Sequence, residues 1–218
     1  MSINPRRTVL LICDVQDRFR GAIHAFDAMS SNIQKMIRAA QILDMRVLTT
    51  EQNPKALGGT IQELGIDKLP QHLNMGVFPK SKFSMMTPEV LRTLGGKWAE
   101  SVGGPAGTGN TEEVERVIIV GIESHVCVTQ TILDSIPLSK YKPIVVADAV
   151  SSCNAAEVPI ALDRLARAGA EVSTSESVLF QLMGDASYPR FKEFANLIKE
   201  YKDSTAKTFD VLLKAKIN

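Results

Sequence analysis

Along the chain, short runs of uninterrupted apolar residues alternate with longer stretches in which apolar residues recur every third or fourth position. The first pattern marks a strand covered on both faces, the second a helix with one buried stripe. Residues 8–13 (TVLLIC) form the first run and end at Asp14. Ser30 or Ser31 can then cap a helix in which Ile33, Met36, Ile37, Ala40 and Leu43 share a face. Residues 46–50 (RVLTT) are a second strand, followed by a turn-rich segment and a short helix at 60–64. Residues 76–79 are a third strand ending at Lys80. Thr87 and Pro88 then open a helix that Gly95 and Gly96 stop. After a Gly-rich polar stretch, the β-branched run at 117–120 breaks at Gly121, and a helical pattern resumes after Cys127. Residues 142–147 are a further strand ending at Asp148. Residues 157–168 are a helix with Pro159 in its first turn and Gly169 at its end, and 171–174 are a last short strand. Residues 175–183, 188–201 and 204–214 read as helices.

Strands alternating with helices imply right-handed crossovers and an α/β fold, here a three-layer α-β-α Rossmann-like arrangement around a mainly parallel sheet of about six strands. We expect a single domain over residues 1–218, with a core at about 7–182, C-terminal helices at 188–216 and a flexible insertion at about 99–113. Within the insertion, residues 104–111 (GPAGTGNT) imitate a phosphate-binding loop. Asn110 stands where its lysine belongs, and the segment precedes a strand instead of linking a strand to a helix.

Composition narrows the partners. A chain of 218 residues with a formal net charge of +1 gives no electrostatic reason to expect a nucleic acid or a membrane. The many lysines of the last two helices read as a solvated surface. Cys13, Cys127 and Cys153 are widely spaced, with no CxxC or Cys/His ligand spacing, which points to a reducing compartment and away from structural zinc. No apolar run has the length of a signal peptide core or a membrane span, so a cytoplasmic protein is expected, with other intracellular compartments left open.

Ligands of such folds bind beyond the C-terminal ends of the strands, where Asp14, Lys80, the turn from Gly121 to Cys127, and Asp148 are all projected. A thiol at a helix start feels the positive helix end and ionises more readily than a free one. Asp14 could take its proton, Lys80 could hold the thiolate, and Cys127 could attack a carbonyl. The bland alternatives are a small buried cysteine, an amide-bonded acid and a surface lysine. The histidines offer little: His24 and His72 fall in loops, and His125 precedes Cys127 by two residues.

Four ordered motifs, LLICDVQDRF, VLTTEQNPKALGGT, FPKSKFSMM and VGIESHVCVTQTILD, make the chain resemble the isochorismatase-like cysteine hydrolase superfamily over about residues 7–182. The likeness is greatest to the branch of isochorismatase-domain-containing proteins 1 and 2. It implies a catalytic Asp14–Lys80–Cys127 triad, Lys80 being favoured over Lys82 by its place before Phe83 and Ser84. It implies a cis peptide between Ile122 and Glu123, and an oxyanion hole from the backbone N–H groups of Glu123 and Cys127. Phe19, Phe83 and His125 are carried as candidate pocket residues. The nicotinamidases of the superfamily bind metal through an Asp-x-His pattern after the second strand, whereas Glu51-Gln52-Asn53 stands here. No metal or cofactor is therefore expected.

The resemblance implies hydrolysis of a small amide-like carbonyl substrate through an acyl group on Cys127, in a homo-oligomer. A non-catalytic binding or scaffold protein of the same fold is the alternative, and a ribonuclease is a weaker third reading.

Overall fold

The computed structural model describes residues 3–103 and 113–213. The phosphate-loop imitation at 104–111, most of the expected insertion and the residues from 214 onward lie outside them. Six strands form one sheet: β1 (Thr8–Cys13), β2 (Arg46–Gln52), β3 (Asn74–Lys80), β4 (Arg116–Ile122), β5 (Ile144–Ser151) and β6 (Glu171–Ser173). Their order is β3-β2-β1-β4-β5-β6, and every pair is parallel. The order reverses between β1 and β4, the switch point at which doubly wound sheets open a crevice.

Alternation along the strands sends side chains to two cores. Leu10, Ile12, Ile118 and Val120 pack against α1 (Phe26–Leu43) and the last three helices, while Val9, Leu11, Cys13, Val117 and Ile119 pack on the opposite face. Between β2 and β5 lie α2 (Pro54–Leu57), α3 (Pro88–Leu94), α4 (Gly96–Glu100) and α5 (Thr129–Ser135). α6 (Glu157–Ala168) and α7 (Ser175–Met183) follow, then α8 (Phe191–Glu200) and α9 (Lys202–Leu212). At a yield of about 25 cal/mol per Å2 of apolar surface, these two cores dominate the favourable side of folding.

The structure departs from the sequence reading at several places. Helix α1 starts at Phe26, not at Ser30, because Ala25 turns the chain at φ 50° without a side-chain cap. Ser30 instead bonds back to the Phe26 carbonyl. The segment after Gly95 is not all loop: α4 buries Trp98 completely, its indole N–H donating to the Val114 carbonyl at 3.0 Å. Strand β4 runs through Gly121 to Ile122. Gly121 sits at φ 109° against β1, where any Cβ would collide with the Cys13 carbonyl, so the residue is needed for close strand approach, not for a break. Asp148, projected to a strand end, lies inside β5. Between the pairs Ile119–Val145 and Gly121–Val150, β5 advances much further than β4, and the resulting bulge carries Asp148 into the α1 and α7 layer.

Candidate active site

Cys13, Thr50 and Gly121 stand level across β1, β2 and β4, and the chemistry-bearing residues begin one step beyond. Asp14 leaves the sheet in the left-handed region (φ 54°), which aspartate tolerates better than most residues. Its side chain is buried and paired. Oδ1 accepts from the Thr50 hydroxyl at 2.8 Å, and Oδ2 accepts from Lys80 Nζ at 2.7 Å. Lys80 reaches across β2 from the end of β3. Its ammonium also donates to Gln52 Oε1 at 2.7 Å and to the carbonyls of Lys82 and Phe83 at 3.1 and 2.8 Å. A buried ammonium is tolerable only when its hydrogens are all engaged, and these acceptors meet that need. Lys82, two residues on, is exposed and pairs with Asp134 at 2.8 Å.

Cys127 lies inside a π-helical turn, Ser124–Val128, ahead of α5, so the helix begins before the cysteine and not after it. Such one-turn π segments recur at functional sites because they re-aim side chains. The turn follows a cis peptide between Ile122 and Glu123. The N–H groups of Val126 and Val128 both donate to the Glu123 carbonyl, at 3.0 and 3.1 Å, and the amide of Cys127 lies between them. The Cys127 carbonyl accepts the Thr131 hydroxyl at 2.6 Å, which fixes the turn from below. The thiol itself is in a nearly closed position, the residue being 8% exposed.

Cys13 joins the two halves. Its thiol donates to Asp14 Oδ2 at 3.6 Å, and Cys127 is among the groups that act on its ionisation. Burial, then Cys127 and the neighbouring Asp14 charge, push the Cys13 thiol well above the ordinary range, so it stays protonated. The Asp14–Lys80 pair thus stands beside the buried Cys13 thiol, whose electrostatic neighbours also include Cys127. The sequence reading had no place for this residue, although its position next to Asp14 was visible.

The remaining candidates separate. Phe83 is 52% exposed and, with Gln52 and Lys80, lines an open cleft of about 640 Å3. Phe19 packs on the core beside α1. His125 is half-buried and turns to Ser152, its Nδ1 lying 2.9 Å from the hydroxyl. His24 and His72 engage the Val211 carbonyl and Asp44. In the segment where nicotinamidases carry their metal ligands, Glu51 accepts from the Thr60 N–H and hydroxyl, Gln52 holds Lys80, and Asn53 turns the chain at φ 37°. Gln16 was also missed. Buried in the loop after β1, it bonds the Gln52 N–H and carbonyl and the Gly58 carbonyl, fixing the strand-end loops around Lys80.

The model of the isochorismatase domain matches residues 8–177. The chain belongs to the isochorismatase family. It is 43% identical over 195 residues to isochorismatase domain-containing protein 1 of Salmo salar, covering 89% of this chain and 62% of that protein. It is 38% identical to isochorismatase domain-containing protein 2 of Xenopus laevis, covering 91% and 86% of the two chains. The chain therefore spans less than two thirds of the first relative's length. Among solved structures, the MAR1 ribonuclease from Caenorhabditis elegans superposes with a TM-score of 0.77 at 35% identity, over 91% of this chain and 93% of that one. No helix among the described residues is long and apolar enough to cross a membrane.

Proposed function

We propose that this isochorismatase-family chain is a cysteine hydrolase of small amide-like carbonyl compounds, with Asp14, Lys80 and Cys127 as its catalytic residues. The observation that supports the reading is the buried Asp14–Lys80 pair at 2.7 Å beside the Cys13 thiol, whose electrostatic neighbours include Cys127. Asp14 takes the proton of Cys127, and the Lys80 charge stabilises the anions that form. The thiolate adds to the substrate carbonyl, and the oxygen's new charge is held by the N–H groups of Glu123 and Cys127. Collapse of the adduct expels an amine, which recovers the proton from Asp14, and leaves an acyl thioester. Water, deprotonated by Asp14, then cleaves the thioester to a carboxylate and restores the thiol. The cleft beside Gln52, Lys80 and Phe83 is the entry for substrate. A homo-oligomer belongs to the same reading, and sedimentation tests it.

The test is mass spectrometry of the protein mixed with a library of amides and carbamoyl compounds. An acyl adduct on Cys127, absent from Cys127→Ala, supports the proposal. Alkylation of Cys127 near neutral pH no faster than that of Cys13 or Cys153 ends it. The ribonuclease reading rests on the name of the Caenorhabditis elegans structure at 35% identity. RNA cleavage by the wild-type protein that survives Cys127→Ala would favour it over the hydrolase.

A further inference from the structure

Beside this site stands a second group of side chains that the proposed chemistry does not use. Glu123 and His125 flank Ser124 at the end of β4, and Cys153 lies just beyond the end of the adjacent strand β5. A carboxylate oxygen of Glu123, a ring nitrogen of His125 and the sulfur of Cys153 all lie within 4.8 Å of one another. Sequence spacing could not reveal the group, since its members are brought together by parallel pairing of β4 with β5.

From this convergence we infer that Glu123, His125 and Cys153 form a binding site for a thiophilic divalent cation, zinc foremost. The donor set suits that ion: one carboxylate, one imidazole and one thiolate leave a fourth, open tetrahedral position. Bonds of 2.0–2.3 Å to a tetrahedral ion set ligand atoms about 3.3–3.8 Å apart. The 4.8 Å limit therefore asks for a modest contraction, which the exposed Cys153 side chain can supply by rotating.

Two further observations support a built site. The Ser152 hydroxyl is 2.9 Å from His125 Nδ1 and 2.5 Å from the buried Ser124 hydroxyl, so one ring nitrogen of the imidazole is held by a hydrogen-bonded pair of hydroxyls. The Cys153 N–H donates to Glu123 Oε2 at 2.7 Å, tying two of the ligand residues together before any ion binds. An arriving cation takes the place of the thiol hydrogen, and one proton is released to solvent for each ion bound.

The experiment titrates the purified chain with Zn2+ against a chromophoric chelator, and with Co2+ while following thiolate-to-cobalt charge transfer in the near ultraviolet. Wild type should bind one equivalent. Cys153→Ser and His125→Ala should each bind at least about tenfold more weakly, Cys153→Ser should lose the charge-transfer band, and Cys127→Ala should keep both stoichiometry and band. Equal affinity in wild type and Cys153→Ser overturns the assignment. So does loss of the band in Cys127→Ala with retention in Cys153→Ser, which would put the ion on Cys127. Cys153 is exposed, so the serine variant keeps its fold, and circular dichroism verifies that before titration.

Discussion

Among the described residues, two buried lysine–aspartate regions are built from the same chemical groups, and they differ in what the sheet does around them. At the ends of β1 and β3, Lys80 and Asp14 meet directly at 2.7 Å, with a threonine hydroxyl on the carboxylate. Within β5, Asp148 is satisfied by neutral donors instead: the Ser175 N–H and hydroxyl and the Asn32 amide. Lys35 lies in the same layer, donates to the Thr205 hydroxyl at 2.8 Å and comes only within 4.0 Å of Glu176. The first region opens on a cleft, while the second is roofed by α7 and α9. A buried acid with neutral partners pins helices to a sheet. One paired with a cation and a thiol at a strand end, as Asp14 is, is the arrangement on which the proposed chemistry rests.

The sharpest way to break this contrast is Cys127→Ala. It should reduce turnover by on the order of 1,000-fold or more, as removal of a covalent nucleophile does, with little change in melting temperature. Steady-state assay beside calorimetry checks both. Lys80→Met comes next. It leaves the Asp14 carboxylate without its cation, and breaking a buried pair costs about 3–5 kcal/mol, so urea denaturation should show that loss together with lost activity. Asp148→Ala should cost about 2–4 kcal/mol by stranding the Ser175 and Asn32 donors, but activity per folded molecule should be retained. An Asp148 variant that folds and fails to turn over would collapse the distinction.

The smallest effect concerns pH. Burial holds the Lys35 ammonium below the ordinary lysine value of 10.5. Between its folded value and 10.5, the unfolded chain therefore binds more protons than the folded one. The Lys35 contribution to stability rises with pH across that window, because the cost of burying a charge is relieved there. Lys35→Met removes this component. It should be at least as stable as wild type near neutral pH, and the difference should shrink toward about pH 10. Denaturant titrations at the two pH values measure it, and a difference that grows would reverse the assignment.

Much of the architecture was legible in the sequence because strong local signals and tertiary packing agree. Strand β1 and helices α6 and α7 have the expected bounds, set by continuous burial, by Gly169 and by the Thr174 cap, which accepts from the Ser177 N–H. Errors arose where a local signal was overruled. Ser30 resembles a cap but lies inside α1, and the glycine pair that reads as a helix stop also begins α4. Asp148 reads as a strand-end acid, yet a bulge, invisible in a single sequence, extends β5 to Ser151.

At the candidate site, the three leading side chains could be chosen from strand ends and motifs. Their supports could not. Gln16, Thr50 and Gln52 act by reaching across from neighbouring strands and loops, and nothing in polar residue spacing reports such reach. His125 was set aside as a partner for Cys127, and its ring indeed faces Ser152.

Trp98 offers a practical handle. It is the chain's one tryptophan, fully enclosed beside the β-sheet and tethered to the Val114 carbonyl across the Gly-rich segment. Fluorescence excited at the red edge, where indole absorbs and tyrosine does not, therefore has a single emitter, and its spectrum is a local optical gauge of whether α4 stays docked. A blue-edged emission that moves to longer wavelength before the far-ultraviolet signal changes would register α4 peeling away from an otherwise intact sheet.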